Sequence, residues 1–339
     1  MTIIRAWIGR LPVDPYLLLL IATVALAALL PARGEGRVIA DAAVTIAVAM
    51  LFFLYGGRLS PAAVWTGITN WRLQSLTFAS TFLLFPAIGL AIGAIMRPYL
   101  PHDILVGLVY LCLLPSTVQS SIAFTSIARG NVPAALCSAS VSNLAGVFLT
   151  PLLVSLLLPA VGAGFSAHAL GDIAMQILLP FVAGQIARPW IRAWLLRHPV
   201  LTTVVDRGSI LLVVYAAFSA GMVAGVWSEL SGADLAVVIA LDLAVLALVI
   251  TTMTIATRRL GFSTQDEIAI VFCGSKKSMA GGIPMATILF PGHAVGLIVL
   301  PLMLFHQAQL FVCAMLARRY AARTRDRETV IAVATPATA

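Results

Sequence analysis

The sequence is a series of long apolar segments, separated by short stretches that contain proline, glycine, arginine or acidic residues. As helices rising ~1.5 Å per residue, ten of these segments can cross a hydrocarbon core ~30 Å thick. Only 10% of the residues are charged, far below the roughly 25% typical of a soluble domain. The pattern therefore predicts an all-α integral membrane protein with ten transmembrane helices, over residues 14–32, 38–57, 73–96, 103–129, 132–159, 170–188, 206–227, 234–257, 266–290 and 293–317.

The arginines predict the orientation of these helices, because cytoplasmic loops are enriched in Lys and Arg. With a cytoplasmic N-terminus, sixteen of the nineteen arginines lie inside, leaving only Arg33, Arg37 and Arg97 outside. An odd number of helices would strand the basic C-terminal segment outside. We therefore predict a multi-pass protein in the lipid of the inner (plasma) membrane, with both termini cytoplasmic. The arginines form no basic stripe with interleaved aromatics, so no nucleic-acid partner is expected.

Predicted spans four (103–129) and nine (266–290) are interrupted in the same way. Each apolar run stops at a cluster of small polar residues, 115–121 in span four and 274–278 in span nine, and then resumes. Each span also ends in a glycine turn, fourteen residues after a serine of its cluster (Ser116 and Gly130, Ser278 and Gly292). Lipid cannot satisfy the backbone groups that such a break frees, so a break persists only inside protein or beside a cavity.

Paired interrupted helices at matching places in two halves are the best sequence indication of a transporter's midplane site. Five helices per half make the second half enter from the opposite face. The chain is therefore predicted to contain two inverted five-helix repeats, residues 1–160 and 161–320, followed by a disordered cytoplasmic tail at 321–339. The alternative is a pair of unrelated kinked helices.

The chain contains only two lysines, Lys276 and Lys277, and both lie in the second polar cluster. A charge at the centre of a membrane costs at least ~2.5–3.5 kcal/mol, so it must face the protein interior or a wet cavity. The pair is therefore a candidate functional site. The alternatives are that one lysine snorkels to the interface, or that both lie in a loop.

Three stretches of the sequence resemble a known family. The run Leu114-Pro-Ser-Thr-Val-Gln-Ser-Ser-Ile-Ala-Phe-Thr-Ser-Ile-Ala-Arg-Gly-Asn131 resembles the fourth-helix signature of the bile acid:sodium symporter family. Residues 52–61 and 273–285, the latter containing Gly-Ser-Lys-Lys-Ser, resemble its sodium/bile acid cotransporter 7-like branch. The resemblance covers nearly the whole chain. It implies a panel domain of spans 1, 2, 6 and 7 and a core domain of the others, with discontinuous helices 4 and 9 crossing at their unwound middles.

The same resemblance implies that the family's sodium sites are degraded here. The family's ninth-helix glutamate, methionine and glutamine ligands correspond to Phe272, Ser275 and Lys276, and its third-helix glutamine corresponds to Thr81. Because the carboxylate is missing, sodium symport of the usual kind is not expected, and no metal or other cofactor is predicted. The other candidate substrate- or ion-binding residues in helices four and five are Gln119, Ser120, Ser121, Ser138 and Ser142.

Three roles for the lysines stay open, together with the neighbouring Ser278. An ammonium could replace the ion at free helix carbonyls, carry a proton, or bind an anion beside a half-helix N-terminus. We expect Lys276 to be buried, because it takes the position of the family's glutamine, and Lys277 to face the cavity. Asp242, well inside span eight, is the expected counter-charge. His306, midway through span ten, suits a structural hydrogen bond or a proton relay.

The leading functional prediction is a secondary active transporter of a small, anionic organic solute, working by alternating access. The alternative is a non-transporting membrane regulator of calcium homeostasis, a role associated with the branch that the sequence resembles. An enzyme is not expected, because the sequence has no His-Glu-x-x-His run, no Gly-x-Ser-x-Gly elbow and no paired intramembrane aspartates. The sequence does not indicate an oligomeric state.

Overall fold

The computed structural model describes residues 15–58, 70–158, 175, 179–225 and 230–334. The regular structure in these ranges is helical and contains no strand. Its helices are α1 (Pro15–Leu29), α2 (Glu35–Arg58), α3 (Trp71–Met96, with a π-helical turn at Ser80–Leu84), α4 (His102–Leu113), α5 (Gln119–Ile127), α6 (Val132–Leu157), α7 (Leu179–Arg197), α8 (Pro199–Ala224), α9 (Gly232–Arg259), α10 (Thr264–Gly274), α11 (Met279–Leu289) and α12 (Val295–Ala334).

Six helices in the described ranges are long and apolar enough to cross a membrane: α2, α3, α6, α8, α9 and the Val295–Ala322 part of α12. α4 is a shorter apolar helix, as is the Leu18–Leu29 part of α1. The pairs α4–α5 and α10–α11 occupy predicted spans four and nine. The protein is therefore a multi-pass helical membrane protein. Ten crossings and an inverted repeat stay predictions.

Side-chain caps begin several of these helices. In each, a polar side chain accepts a hydrogen bond from the backbone amide three residues further on, which satisfies one of the amides left without a partner at a helix start. These caps are Asn131 for α6, Ser231 for α9, Ser263 for α10 and Ser278 for α11. The cap at Ser278 shows that a new helix starts directly after the lysine pair.

One group of helices packs through α2, which contacts both α7 and α8, while α1 packs on α8. Two glycines allow the close approach of α2 and α7. A Cβ at Gly56 would overlap the carbonyl oxygen of Phe181, and a Cβ at Gly184 would overlap that of Phe53. Small residues at helix interfaces permit this kind of backbone contact in membranes. We call α1, α2, α7 and α8 the first group.

The remaining helices form a second group around a buried core. α4 packs against α3 and α12, and α10 packs against α5, α6 and α9. Glu267 joins three helices, because it accepts hydrogen bonds from Arg258 at 3.0 Å and from the Tyr320 hydroxyl at 2.8 Å. The two groups meet where α8 contacts α11 and α12.

The matching glycine turns of the two interrupted helices have different physical causes. After α5, the left-handed position belongs to Arg129, with φ +60°, while a Cβ at Gly130 would overlap the Ile268 side chain. After α11, Gly292 itself has φ +81° and nothing lies near its missing Cβ. One glycine therefore serves packing and the other serves backbone conformation.

The predicted boundaries of spans six and seven differ from the structure. Most of the start of span six lies outside the described residues (170–174 and 176–178). α7 continues to Arg197 and α8 begins at Pro199, so the expected loop at 189–205 is helical except at His198. Proline is well suited to the first position of a helix, because no intrahelical partner needs its missing N–H.

The expected disorder of the tail is also not what the structure has. α12 continues to Ala334, so most of the tail segment 321–339 is helical, and residues 335–339 lie outside the described ranges. The segment contains six alanines and three arginines, which have high helix propensities. A helix that has already formed in α12 can therefore extend into it.

Candidate functional site: the two helix breaks and the adjoining cavity

The breaks in the two interrupted helices lie against each other. α4 ends at Leu113 and α10 ends at Gly274, each four residues or more before the next helix begins. The Ser278 backbone N–H donates to the Pro115 carbonyl at 2.8 Å, and the Ser116 hydroxyl donates to the Cys273 carbonyl at 2.6 Å. Each break therefore supplies a hydrogen bond to backbone groups of the other.

The end of α10 is satisfied by neutral hydroxyl groups. A helix leaves its last four carbonyls without an intrahelical partner, and in α10 each of these carbonyls accepts a hydrogen bond from a serine. The pairs are Ser275 to Val271 (2.6 Å), Ser121 to Phe272 (3.2 Å), Ser116 to Cys273 (2.6 Å) and Ser80 to Gly274 (2.7 Å). This helix end therefore needs no cation.

The end of α4 is satisfied by the ammonium of Lys277, a side chain with no exposed surface. Its Nζ donates to the carbonyls of Cys112 (2.9 Å) and Leu114 (2.7 Å), and to that of Thr81 (2.9 Å). A lysine ammonium has three donors, and all three are used. The Nζ also lies 4.1 Å from the centre of the Phe85 ring. The ammonium therefore lies among three converging carbonyl oxygens, which we call the carbonyl ring.

Gln309 of α12 holds the Lys277 backbone on both sides. Its Oε1 accepts from the Lys277 N–H at 2.9 Å, and its Nε2 donates to the Lys277 carbonyl at 3.0 Å. The same Nε2 lies 2.8 Å from His306 Nδ1. Gln309 was not predicted as a site residue. The available signal was the group of polar residues His306, Gln307 and Gln309 in the middle of an apolar span.

Lys276 is also fully buried but has a different environment. Its Nζ lies 4.1 Å from the centre of the Phe124 ring and 5.4 Å from that of Phe272, and no described residue accepts a hydrogen bond from it. The expectation that Lys276 is buried is therefore confirmed, whereas the expectation that Lys277 faces the cavity is wrong, because Lys277 is equally buried and does not line the cavity. The hydrogen bonds of Gln309 and Ser278 orient the segment so that Lys277 points toward α4.

Asp242 does not pair with either lysine. The residue is buried in α9 with 1% of its surface exposed, and neither carboxylate oxygen has a hydrogen-bond partner among the described residues. The prediction of an ion pair is wrong, because Lys277 donates to backbone carbonyls instead and Lys276 lies against two phenylalanine rings. The sequence of a transmembrane span does not show which way an isolated acidic side chain in it faces.

The predicted hydroxyl residues have several different places. Thr81 contributes its carbonyl, while its hydroxyl donates to Thr77. The Ser142 hydroxyl accepts from the Ser116 N–H at 3.0 Å. Ser120 lies beside Thr117, whose hydroxyl is 2.8 Å away.

Two other predicted site residues have no contact to report. The Ser138 hydroxyl is buried without a partner among the described residues. Gln119 starts α5, but its side chain lies outside what the structure describes.

Further polar groups complete the breaks and were not predicted. Asn143 donates to the Ser116 carbonyl at 2.9 Å, Tyr110 donates to the Gly282 carbonyl at 2.7 Å, and Thr150 donates to the Leu113 carbonyl at 2.9 Å. These contacts join residues far apart in the sequence. Only the position of each side chain inside an apolar span could have indicated a role.

A cavity of about 560 Å³ separates the first group from the breaks. Arg58 of α2 and Arg207 of α8 line one side, with His306 of α12 also in the wall. The opposite side includes the N-terminal ends of α5 and α11, through Ser120 and the residues 278–281. No described aspartate or glutamate lines the cavity. From the sequence, both arginines indicated only the orientation of the helices in the membrane, and neither was predicted to lie in the site.

In a multi-pass membrane protein, two interrupted helices that meet beside a cavity are characteristic of a secondary transporter. The chain belongs to the SBF-like CPA transporter family, whose model matches residues 14–322. This is a family of the bile acid:sodium symporter type, so the resemblance seen in the sequence is confirmed.

Relatives cover nearly the same length. The chain is 53% identical over 322 residues to an uncharacterized protein of Pseudomonas aeruginosa, covering 95% of this chain and 97% of the relative. It is 50% identical over 314 residues to YfeH of Escherichia coli, named as a candidate symporter, with 92% and 94% covered. It is 30% identical over 275 residues to mouse sodium/bile acid cotransporter 7, with 80% and 81% covered.

Proposed function

We propose that the protein is a secondary active transporter that carries a small organic anion by alternating access of the first helix group against the second. The observation that carries this proposal is the cavity, which lies between the two groups and has two arginines on one side and the N-terminal ends of two half-helices on the other. A relative movement of the two groups would open such a cavity to one side of the membrane at a time.

The polar part of the cavity suits an anionic group. Arg58 and Arg207 supply formal positive charge. The first turns of α5 and α11 supply backbone N–H groups and the positive ends of two helix dipoles, which favour carboxylates and phosphates. Among the described residues of the wall there is no carboxylate that would repel an anion.

The remaining wall suits an apolar body attached to that anionic group. Phe52, Phe181 and Ile210 line the first-group side, and Leu144 and Met285 line the other. Small-molecule sites are mostly apolar, with a few polar groups that set orientation. We therefore propose an amphipathic organic anion as the solute, with its charge near the arginines.

The proposal includes Lys277 as a permanent replacement for a coupling cation. Its three hydrogen bonds to Thr81, Cys112 and Leu114 satisfy carbonyls that would otherwise need an ion. The positions that correspond to sodium ligands in the family are occupied by packing or capping: Phe272 lies against Phe124 and Tyr320, and the Ser275 hydroxyl is bound to Val271. Sodium is therefore not the proposed coupling ion.

The proposed topology is ten crossings in two inverted repeats, residues 1–160 and 161–320, with both termini cytoplasmic in the inner membrane. The orientation is supported by the arginine distribution. On this topology Arg58 and Arg207 lie toward the cytoplasmic ends of α2 and α8. The cavity would then be closer to the cytoplasm than to the outside.

Counterflow in proteoliposomes tests the function. Liposomes preloaded with one unlabelled organic anion are assayed for uptake of the same labelled anion, across carboxylates, sulfonates and phosphate esters that carry apolar bodies, with neutral amides as controls. We expect uptake of at least one anion, equal in sodium and choline buffers. Arg58→Gln and Arg207→Gln should each lower uptake at least tenfold, whereas Arg192→Gln, at an exposed position of α7, should not.

The regulator alternative makes the opposite prediction. If the purified protein is folded but no anion gives counterflow or a shift in melting temperature, the transport proposal fails. Equal uptake by the cavity variants and the Arg192→Gln control would instead reject the assignment of the anion site to this cavity.

A further inference from the structure

We propose that Lys276 is the proton-binding site of this protein, separate from the anion cavity and from the carbonyl ring of Lys277. In the conformation described, the amine is closed off from water, and in another access state it would exchange a proton with the aqueous phase. The inference rests on the proposed function in one respect only, since it supplies the coupling ion for transport.

The surroundings of Lys276 differ from those of a lysine with a structural role. Its side chain has no exposed surface, and no described group accepts a hydrogen bond from its Nζ. Only the faces of Phe124 and Phe272 lie against the Nζ. Cation–π contacts of this kind offset only part of the free energy that burying an ion costs. The site therefore stabilises the charged form only in part.

The neighbouring titratable groups leave Lys276 without a counter-ion. Cys273 lies three residues earlier in the chain, and Cys313 belongs to α12; both interact with Lys276 electrostatically. Tyr320 packs on Phe272, but its hydroxyl is bound to Glu267, which also pairs with Arg258. α5 carries no ionisable residue. The proton on Lys276 is therefore not held by a fixed charge within the described packing.

The other buried candidates are less suited to the role. Lys277 satisfies three carbonyls with its three N–H groups, so loss of a proton would leave one of these carbonyls without a donor. Asp242 is buried and also lacks a partner, but it lies on the continuous helix α9. Lys276 lies in the non-helical segment between α10 and α11. A movement of these two half-helices would therefore change its surroundings directly.

A solute-free experiment tests the inference. Proteoliposomes with the full chain are adsorbed to a solid-supported membrane and exposed to a rapid pH change, with the proton as the only ligand. Wild type should give a transient charge displacement that saturates with proton concentration. Lys276→Met should reduce it to the level of protein-free liposomes. Lys276→Arg should do the same while keeping the fold, because arginine is not deprotonated in proteins. Asp242→Asn should keep the signal.

Several results would overturn the inference: no displacement in wild type, a normal displacement in Lys276→Met or Lys276→Arg, or loss of the signal in Asp242→Asn alone, which would make Asp242 the carrier. Melting curves show whether each variant is folded, and Lys276→Arg decides the question if Lys276→Met does not fold. Because no organic solute is used, failure to find a transported anion would reject the proposed function without affecting this result.

Discussion

Replacement of Lys277 by methionine should destabilise the protein much more than the same replacement at Lys276. Methionine keeps most of the side-chain length but removes the ammonium, so the carbonyls of Thr81, Cys112 and Leu114 lose their donor. Each buried unsatisfied group costs ~1–3 kcal/mol. The variant also no longer buries a charge, which offsets part of this cost. We expect a loss of about 3 kcal/mol for Lys277→Met.

Thermal melts in detergent measure this difference. A loss of that size corresponds to a decrease in melting temperature of roughly 6–12 °C, at the ~2–4 °C per kcal/mol of larger domains. Lys276→Met is the matched control, because its ammonium satisfies no described acceptor. An apolar side chain against two phenylalanine rings should leave the melting temperature unchanged or raise it.

A rescue experiment separates the lost donor from general damage. Lys277→Ala should leave room at the three carbonyls for a small cation, so ammonium or an alkali cation should raise its melting temperature with a saturable dependence. At ten times the dissociation constant, ligand linkage predicts ~1.4 kcal/mol of stabilisation. Neither wild type nor Lys276→Ala should respond in this way. Equal destabilisation by the two methionine variants would refute the assignment of the carbonyl ring to Lys277.

Other predictions follow from the packing and the charge pattern. Gly184→Ala should destabilise the protein by ~1–3 kcal/mol through overpacking, because its Cβ would overlap the α2 backbone, while Gly208→Ala, where nothing is near, should be neutral or stabilising in thermal melts. Ser116→Ala should cost ~1–3 kcal/mol by leaving the Cys273 carbonyl without its hydroxyl donor, and a wild-type melting temperature would contradict this. Melts in sodium and in choline should agree, and a saturable rise with sodium would contradict the loss of sodium sites. Reporter fusions after Arg197 and after Arg319 should both read cytoplasmic, and a signal from outside at either site would reject the topology.

The sequence alone predicts where the backbone is broken. Lipid offers no hydrogen bonds to the backbone, so a polar cluster inside an apolar span, such as 115–121 or 274–278, can exist only where protein satisfies the freed groups. Lys276 and Lys277 are likewise predicted to lie inside the protein, since the cost of a charge in lipid is local and depends only on depth. The family resemblance also follows from these local runs.

The tertiary structure decides which group satisfies each freed carbonyl. Lys277 reaches the carbonyl of Leu114, 163 positions away in the sequence, while serines from three other segments satisfy the end of α10. Two adjacent lysines in a non-helical segment point in directions set by contacts from Gln309 and Pro115, and no local pattern contains that information.

The cavity is a property of the tertiary structure for the same reason. Arg58 and Arg207 lie in different halves of the chain, and by sequence they are two of sixteen arginines that mark cytoplasmic ends. They line one cavity because Gly56 and Gly184 bring α2 and α7 into contact and α8 packs on α2. The sequence determined where charge could enter the membrane, because that cost is local. Packing between distant helices decided which charges meet, because contacts between remote residues leave no local pattern in the chain.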